Sequence, residues 1–387
     1  MVWRYGTAGE SHGPALAAFL EGMPAGVPLS AVADIDPELA RRQLGHGRGA
    51  RMGIERDHAE IVGGVRFGRT IGAPIALLVR NRGTEDLGAP PPGYKPLLYP
   101  RPGHADLPAA LKYGLDDLRD VLERASARET AARVALGACA RRLLAEFGVK
   151  IRSLVETIGP VGMTCPERIP AAWWARAERS PVRCPDPALA ASMVRAIDEA
   201  IAAGDSLGGV VRVEASGVPP GLGSHVQADR RIEGRIAGAF MGLPGVKGVE
   251  SGLGFAAAQR PGSLVHDAIL HGARRPWGWH RRTNRAGGIE GGVTNGEPVW
   301  FRVAMKPIPT LRRPLASANL RTGRRGRAVV VRADVCAVPA LGVVAEAALA
   351  LELAGAFCEK FGGDNLRDMR AAYEAYRAAS TGRRRPA

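Results

Sequence analysis

Arginines crowd one short stretch, Arg41-Arg42-Gln43-Leu44-Gly45-His46-Gly47-Arg48-Gly49-Ala50-Arg51, where interleaved glycines let the backbone approach a ligand closely. Guanidinium forks match carboxylate and phosphate geometry, so Arg42 and Arg48 are candidate anion-binding groups, although a solvated basic loop would read the same way. Two histidines stand out by their neighbours. His12 lies in Ala8-Gly9-Glu10-Ser11-His12-Gly13, and His104 in Arg101-Pro102-Gly103-His104-Ala105-Asp106, two residues from a carboxylate that could orient its ring. Arg124-Ala125-Ser126 and Arg332-Ala333-Asp334 each place an arginine two residues before a helix-capping side chain, and such a helix start beside a guanidinium can hold an anion. An aspartate beside Arg332 could also carry a proton if buried. Lys306-Pro307-Ile308-Pro309-Thr310 is a rigid turn that presents one of only six lysines. The constellation suggests an enzyme for a polyanion, with two histidines and an aspartate moving protons.

These groups need a scaffold, and the chain repeats itself to build one. Ala8-Gly9-Glu10-Ser11-His12-Gly13 is answered by Ala203-Gly204-Asp205-Ser206-Leu207-Gly208 at an offset of 195, and Gly63–Ile75 by Gly287–Val299 at an offset of 224. The Arg124 and Arg332 segments form a third pair, each leading into an Ala/Leu-rich helix. Residues 1–387 therefore read as a single domain with an internal repeat, approximately 8–148 and 203–362, followed by a helical, basic tail, 366–387. Apolar runs at Ala15–Leu20, Ile75–Val79, Val210–Val213 and Val299–Val303 predict strands, and Ser126–Phe147 and Pro339–Phe361 predict helices. Ser126-x-x-Glu129 has the form of a capping box. The Pro-rich segment 88–102 reads as a surface loop. Positions the fold requires should match between halves, whereas positions serving chemistry need not. His12 has Leu207 as its counterpart, so the turn can be built without imidazole.

Composition excludes disorder and points to an ordinary cytoplasmic protein: 46% of residues are hydrophobic, and no apolar run approaches the roughly 20 residues needed to cross a bilayer. The five cysteines, Cys139, Cys165, Cys184, Cys336 and Cys358, contain no C-x-x-C pair, so neither a disulfide framework nor a metal site is indicated. The net charge of +15 would suit a nucleic-acid-binding protein as well as a basic cleft, but no nucleic-acid-binding motif accompanies it. Neither a dinucleotide fingerprint nor a P-loop is present.

The segments around His12, His104, Arg124–Ala131 and Arg332–Pro339, together with Asn284-Arg285-Ala286-Gly287-Gly288-Ile289-Glu290-Gly291-Gly292 and Lys306–Thr310, resemble the signature segments of the chorismate synthase family, in order from about residue 4 to 365. The resemblance implies an α+β fold, a β-α-β sandwich with antiparallel sheets between helices and a pseudo-two-fold repeat, assembled as a homotetramer. It implies 5-enolpyruvylshikimate 3-phosphate as substrate and reduced FMN as cofactor, in a 1,4-elimination of phosphate without net redox change. Some members reduce FMN with NADPH; a chain of this length resembles the monofunctional form, whose flavin is reduced by a separate system. Another flavin-dependent enzyme is the nearest alternative.

Carried over by position, His12 would protonate the leaving phosphate, His104 would protonate the flavin near N1, and Asp334 would take the proton back from flavin N5. Arg42, Arg48, Arg128 and Arg332 would hold substrate anions, with Arg332 also near the flavin. Arg124, Ala125, Ser126, Pro244, Gly245, Gly291, Lys306, Pro307, Ile308, Pro309 and Thr310 would line the cofactor site. Two segments depart from the common pattern: Asp120-Val121-Leu122-Glu123 stands where many members have a glycine run, and Pro244-Gly245 where many have Asn-Ala or Gln-Ala. His12→Leu, which copies the second half, should leave thermal unfolding nearly unchanged and remove most turnover. Substantial unfolding would show that the turn requires its imidazole.

Overall fold

The computed structural model describes residues 2–49, 56–82, 93–272 and 275–381. Alternating burial shapes the first sheet. Leu16, Ala18 and Leu20 turn inward from Ala15–Glu21 while Phe19 is exposed, and Ile75, Leu77 and Val79 turn inward from Ile75–Arg80. These two strands pair antiparallel at the centre, with Arg4–Ala8 and Ala59–Gly63 at the edges. The second sheet runs in the order Val246–Ser251, Val299–Met305, Gly209–Ser216, Lys150–Ile158 and Val161–Gly162, also antiparallel.

The repeat appears in the hydrogen-bond register. Leu20 faces Ile75 in one sheet and Ala215 faces Val299 in the other, displaced by the same 195 and 224 residues that relate the sequence blocks. Tyr5 pairs with Leu20 as Ile151 pairs with Ala215. By this register a second copy would take in Lys150–Ile158, ahead of residue 203 where the sequence similarity starts. Its first strand escaped the sequence comparison because it shares no Gly/Pro punctuation with Arg4–Ala8.

Helices Thr130–Ala145 and Val338–Phe361 lie side by side between the sheets, the first against the smaller sheet and the second against the larger. Gly137 makes the close approach feasible: a Cβ there would lie 2.3 Å from that of Ala347. The outer face of the larger sheet is covered by Ala171–Arg179 through Leu154, Trp174 and Ala177. Val338–Phe361 is long and apolar enough to span a membrane by composition, contrary to the sequence expectation. It is instead the core helix, with 94% of its most apolar window buried.

The predicted helix from Ser126 starts later. Leu118–Ala125 ends at Ser126, a 3₁₀ turn covers Ala127–Glu129, and the α-helix begins at Thr130. No capping box forms, because Glu129 accepts hydrogen bonds from the Thr7 hydroxyl at 2.7 Å and from Arg133 at 2.8 Å instead of reaching back. The Pro-rich segment is irregular over 93–102, its residues 88–92 falling outside the described residues, as do 382–387 of the tail. It is pinned to the Ala316–Ala318/Arg325–Arg327 hairpin region: Leu320 N donates to Leu98 O, Val329 N to Tyr99 O, and the Ser317 hydroxyl to Pro100 O.

One carboxylate ties the helical layer together. Glu346, fully buried in Val338–Phe361, accepts from Arg41 at 2.8 Å, Arg141 at 2.5 Å, Arg183 at 3.1 Å and the Ser153 hydroxyl at 2.6 Å. Burial alone would raise its pKa, but the three guanidinia outweigh it and hold the carboxyl at about 2 against an ordinary 4.5. A depressed carboxyl stabilises the fold above its unfolded pKa. This contribution should therefore be complete at neutral pH and disappear as pH falls from about 4.5 toward about 2. Glu346→Gln should cost roughly 3–5 kcal/mol in urea unfolding at pH 7, since buried cations lose their partner; an unchanged midpoint would mean the network is stability-neutral.

Candidate active site

The turn after the first strand carries His12 to the last turn of helix Leu118–Ala125. Val121 and Leu122 bury that helix, leaving Glu123 to face the turn. Glu123 accepts from His12 Nδ1 at 2.7 Å and from the His12 backbone N–H at 2.8 Å. The Ser11 hydroxyl meets that of Ser126 at 3.1 Å, so His12 and the Ser126 segment are joined. Arg124 turns back along the first strand, donating to Thr7 and to the Gly9 carbonyl. Ala125 packs at the edge of a small cluster formed by Ala110, Leu118 and Val121.

Beside Ser126 lies a buried cationic group. Arg42 and Arg128 both bond Asp57, each at 2.6 Å, and Arg128 also donates to Asn81 at 2.8 Å. Burial raises the Asp57 carboxyl, but the two guanidinia outweigh it and keep it below the usual carboxylate range. Burial pulls Arg42 below its usual value, against the pull of Asp57 and with help from Arg48 and Arg128. Arg48 completes the group by pairing with Asp334 at 3.0 Å, and the other Asp334 oxygen accepts from Gly49 N at 2.7 Å.

Asp334 therefore does not cap the helix that follows it, which starts at Val338 without a side-chain cap. Its matched partner Ser126 does cap, accepting from Arg128 N at 3.3 Å. Asp334 pairs with Arg48 rather than with the neighbouring Arg332, which is exposed.

His104 sits in a third group. Its Nδ1 contacts Asp106 at 2.5 Å, and Asp106, fully buried, also takes two bonds from the Arg101 guanidinium and one from its backbone N–H. Burial raises the Asp106 carboxyl, but Arg101 and His104 overcome it and push it well below the ordinary range. Arg101 further donates to the Thr310 hydroxyl at 3.0 Å, and Lys306 Nζ bonds the Gly103 carbonyl. Burial, with Lys247 nearby, lowers the Lys306 pKa. The Lys306–Thr310 turn thus packs on the His104 loop. Pro309 lies beside Gly103, Lys306 N donates to Gly245 O next to Pro244, and the Ile308 carbonyl accepts from Ser206; Pro307 is exposed.

The His104 group and the Asp334 group meet through the second-copy turn, where Leu207 N bonds the Val335 carbonyl next to Asp334. Gly291 is not joined to these residues. It occupies the Ile289–Glu290/Val293–Thr294 hairpin at a φ of 58°, with open space where a Cβ would be. Arg51 and Ala50 of the arginine stretch lie outside the described residues. Two cavities, of about 380 and 600 Å³, lie away from the His12, Asp334 and His104 groups; the larger is lined by Trp277, Trp279 and Tyr376 and by Glu290, Val293 and Thr294 of the Gly291 hairpin.

Asp57 and Glu123 were not anticipated as partners. Only the unusual Asp120–Glu123 segment signalled the second, and nothing in the sequence marked the first.

Clustered guanidinia and two carboxylate-held histidines thus stand on these layers of sheet and helix. The chorismate synthase family model matches residues 3–358. A chorismate synthase from Desulforudis audaxviator is 56% identical over 95% of each chain, and one from Moorella thermoacetica is 54% identical over 97% of this chain and 98% of its own. A chorismate synthase crystal structure superposes with a TM-score of 0.81 at 44% identity, covering 98% of this chain and 99% of the other. The chain belongs to the chorismate synthase family, whose members are carbon–oxygen lyases of aromatic amino-acid biosynthesis.

Asp57→Asn would leave two buried guanidinia sharing one neutral acceptor. It should lower stability by roughly 3–5 kcal/mol in urea titration and weaken binding of a phosphorylated substrate. Unchanged stability would show that Arg42 and Arg128 do not depend on that charge.

Proposed function

We propose that the chain converts 5-enolpyruvylshikimate 3-phosphate to chorismate, breaking the C3–O bond to phosphate and the C6–H bond in a 1,4-elimination without net redox change. The observation that carries this reading is the Arg48–Asp334 pair beside the Arg42–Asp57–Arg128 group. Three guanidinia converge on Asp57 and Asp334, and such forks match the geometry of a phosphate and two carboxylates on a substrate. A substrate anion that takes Arg48 releases Asp334, which then receives the proton lost from C6. His12, held through Nδ1, gives its proton to the departing phosphate. His104, braced by Asp106, holds a proton at the cofactor edge of the site.

The residues suit reduced FMN. Lys306 and Arg332 offer cations for its phosphate and Ser126 offers a hydroxyl, while Gly291, which stands apart from these groups, is assigned to the cofactor by the family resemblance alone. When bound, reduced FMN supplies electron density transiently as phosphate leaves. Arg124, Ala125, Pro244, Gly245 and Pro307–Thr310 complete the lining in this reading, and Arg128 and Arg332 share the substrate anions. The cysteines of the described residues are all free, which supports a reducing, cytoplasmic setting. A homotetramer receiving flavin reduced by a separate system is the assembly this reading adopts.

An anaerobic assay with chemically reduced FMN should yield chorismate and phosphate in equal amounts, and oxidised FMN should yield neither. Absence of product from folded, flavin-loaded protein would overturn the reading.

A further inference from the structure

We propose that Glu123 is the positioning residue for His12, fixing which ring nitrogen faces the substrate. The contact is built at several points. The Glu123 side chain accepts from both the ring Nδ1 and the backbone N–H of His12, and its backbone carbonyl accepts from Ser11 N at 3.0 Å. On the opposite side of the turn, Asn81 donates to the carbonyls of Glu10 and Gly13, and its N–H donates to the Pro14 carbonyl. The turn is clamped between a strand end and a helix end, with the imidazole as its movable part.

A carboxylate that accepts the Nδ1 proton leaves Nε2 to face outward, where His12 keeps 30% of its side-chain surface exposed against 13% for Glu123. Burial raises the Glu123 carboxyl, yet the hydrogen bonds from His12 outweigh it, so the group stays an acceptor at neutral pH. Arg119, Asp120 and Arg124 are the other charges on its helix, and Arg124 is engaged with Thr7 and Gly9. In the second copy Leu207 replaces His12, and there is no ring to orient.

The two His12 groups are held by different Glu123 oxygens, and in glutamine one of those oxygens becomes an NH2 that can only donate, so one N–H loses its acceptor in place. The inference rests on His12 acting as the acid, so the test separates the two ideas. Nitrogen-15 spectra of the native protein, with His12 assigned by its disappearance in His12→Leu, should show Nδ1 protonated. In Glu123→Gln the ring should shift toward a mixed tautomer. Under anaerobic turnover with reduced FMN, Glu123→Gln should lower kcat by at least about tenfold while KM stays within about twofold. Adding it to His12→Leu should cost nothing more.

Native His12 lacking a proton at Nδ1, or a Glu123→Gln enzyme with unchanged kcat and ring spectrum, would overturn the inference. Full turnover by His12→Leu would instead overturn the role given to His12. The native spectrum decides even if Glu123→Gln does not fold.

Discussion

Three arginines converge on one fully buried carboxylate, Glu346. Arg41, one of the three, stands next to Arg42 on helix Asp36–Gln43. Adjacent residues on a helix diverge by about 100°, so one guanidinium reaches the helical core while the next reaches Asp57. The anion group is therefore oriented from behind by the same contacts that fasten the helical layer. Arg183 pays for its place with a positive φ of 56°, a conformation that persists because Ser153, Glu178 and Glu346 all hold its guanidinium.

The matching register of the two sheets, at the offsets that relate the sequence blocks, places parts far apart in sequence at corresponding positions. Each sheet has a turn that leads into a strand, 8–13 into Ala15–Glu21 and 203–208 into Gly209–Ser216, and each of the two central helices has a slot ahead of it. The fold needs those features twice, and the chemistry needs them once. His12 and Leu207 diverge in the turn, while Ser126 and Asp334 diverge in the slot, where the serine still caps and the aspartate has been released to Arg48. The second-copy turn retains a bracing role, through Ser206 to Ile308 and Leu207 to Val335.

Much of this was legible in the residues. Strands at Ala15–Glu21, Ile75–Arg80 and Val299–Met305 follow from inward alternation between Gly/Pro turns, and the offsets between repeats reappear as sheet register. The helix start at Ser126 was misread because a capping box is a local pattern, and Glu129 found stronger partners in Thr7 and Arg133. Lys150–Ile158 was missed as a repeat strand because nothing but its pairing relates it to Arg4–Ala8. Pairs such as His12–Glu123 and Arg128–Asp57, separated by 111 and 71 residues, are products of tertiary closure that no local spacing announces.

The central claim is that these three residue groups form one site for the substrate and flavin. A crystal structure of the protein with oxidised FMN and 5-enolpyruvylshikimate 3-phosphate tests it most directly. The account predicts the substrate phosphate at His12 Nε2, Arg48 drawn from Asp334 onto the substrate, and the flavin between His104 and Asp334. Ligands seated in the Trp277–Trp279 cavity, with the Arg48–Asp334 pair intact, would contradict it.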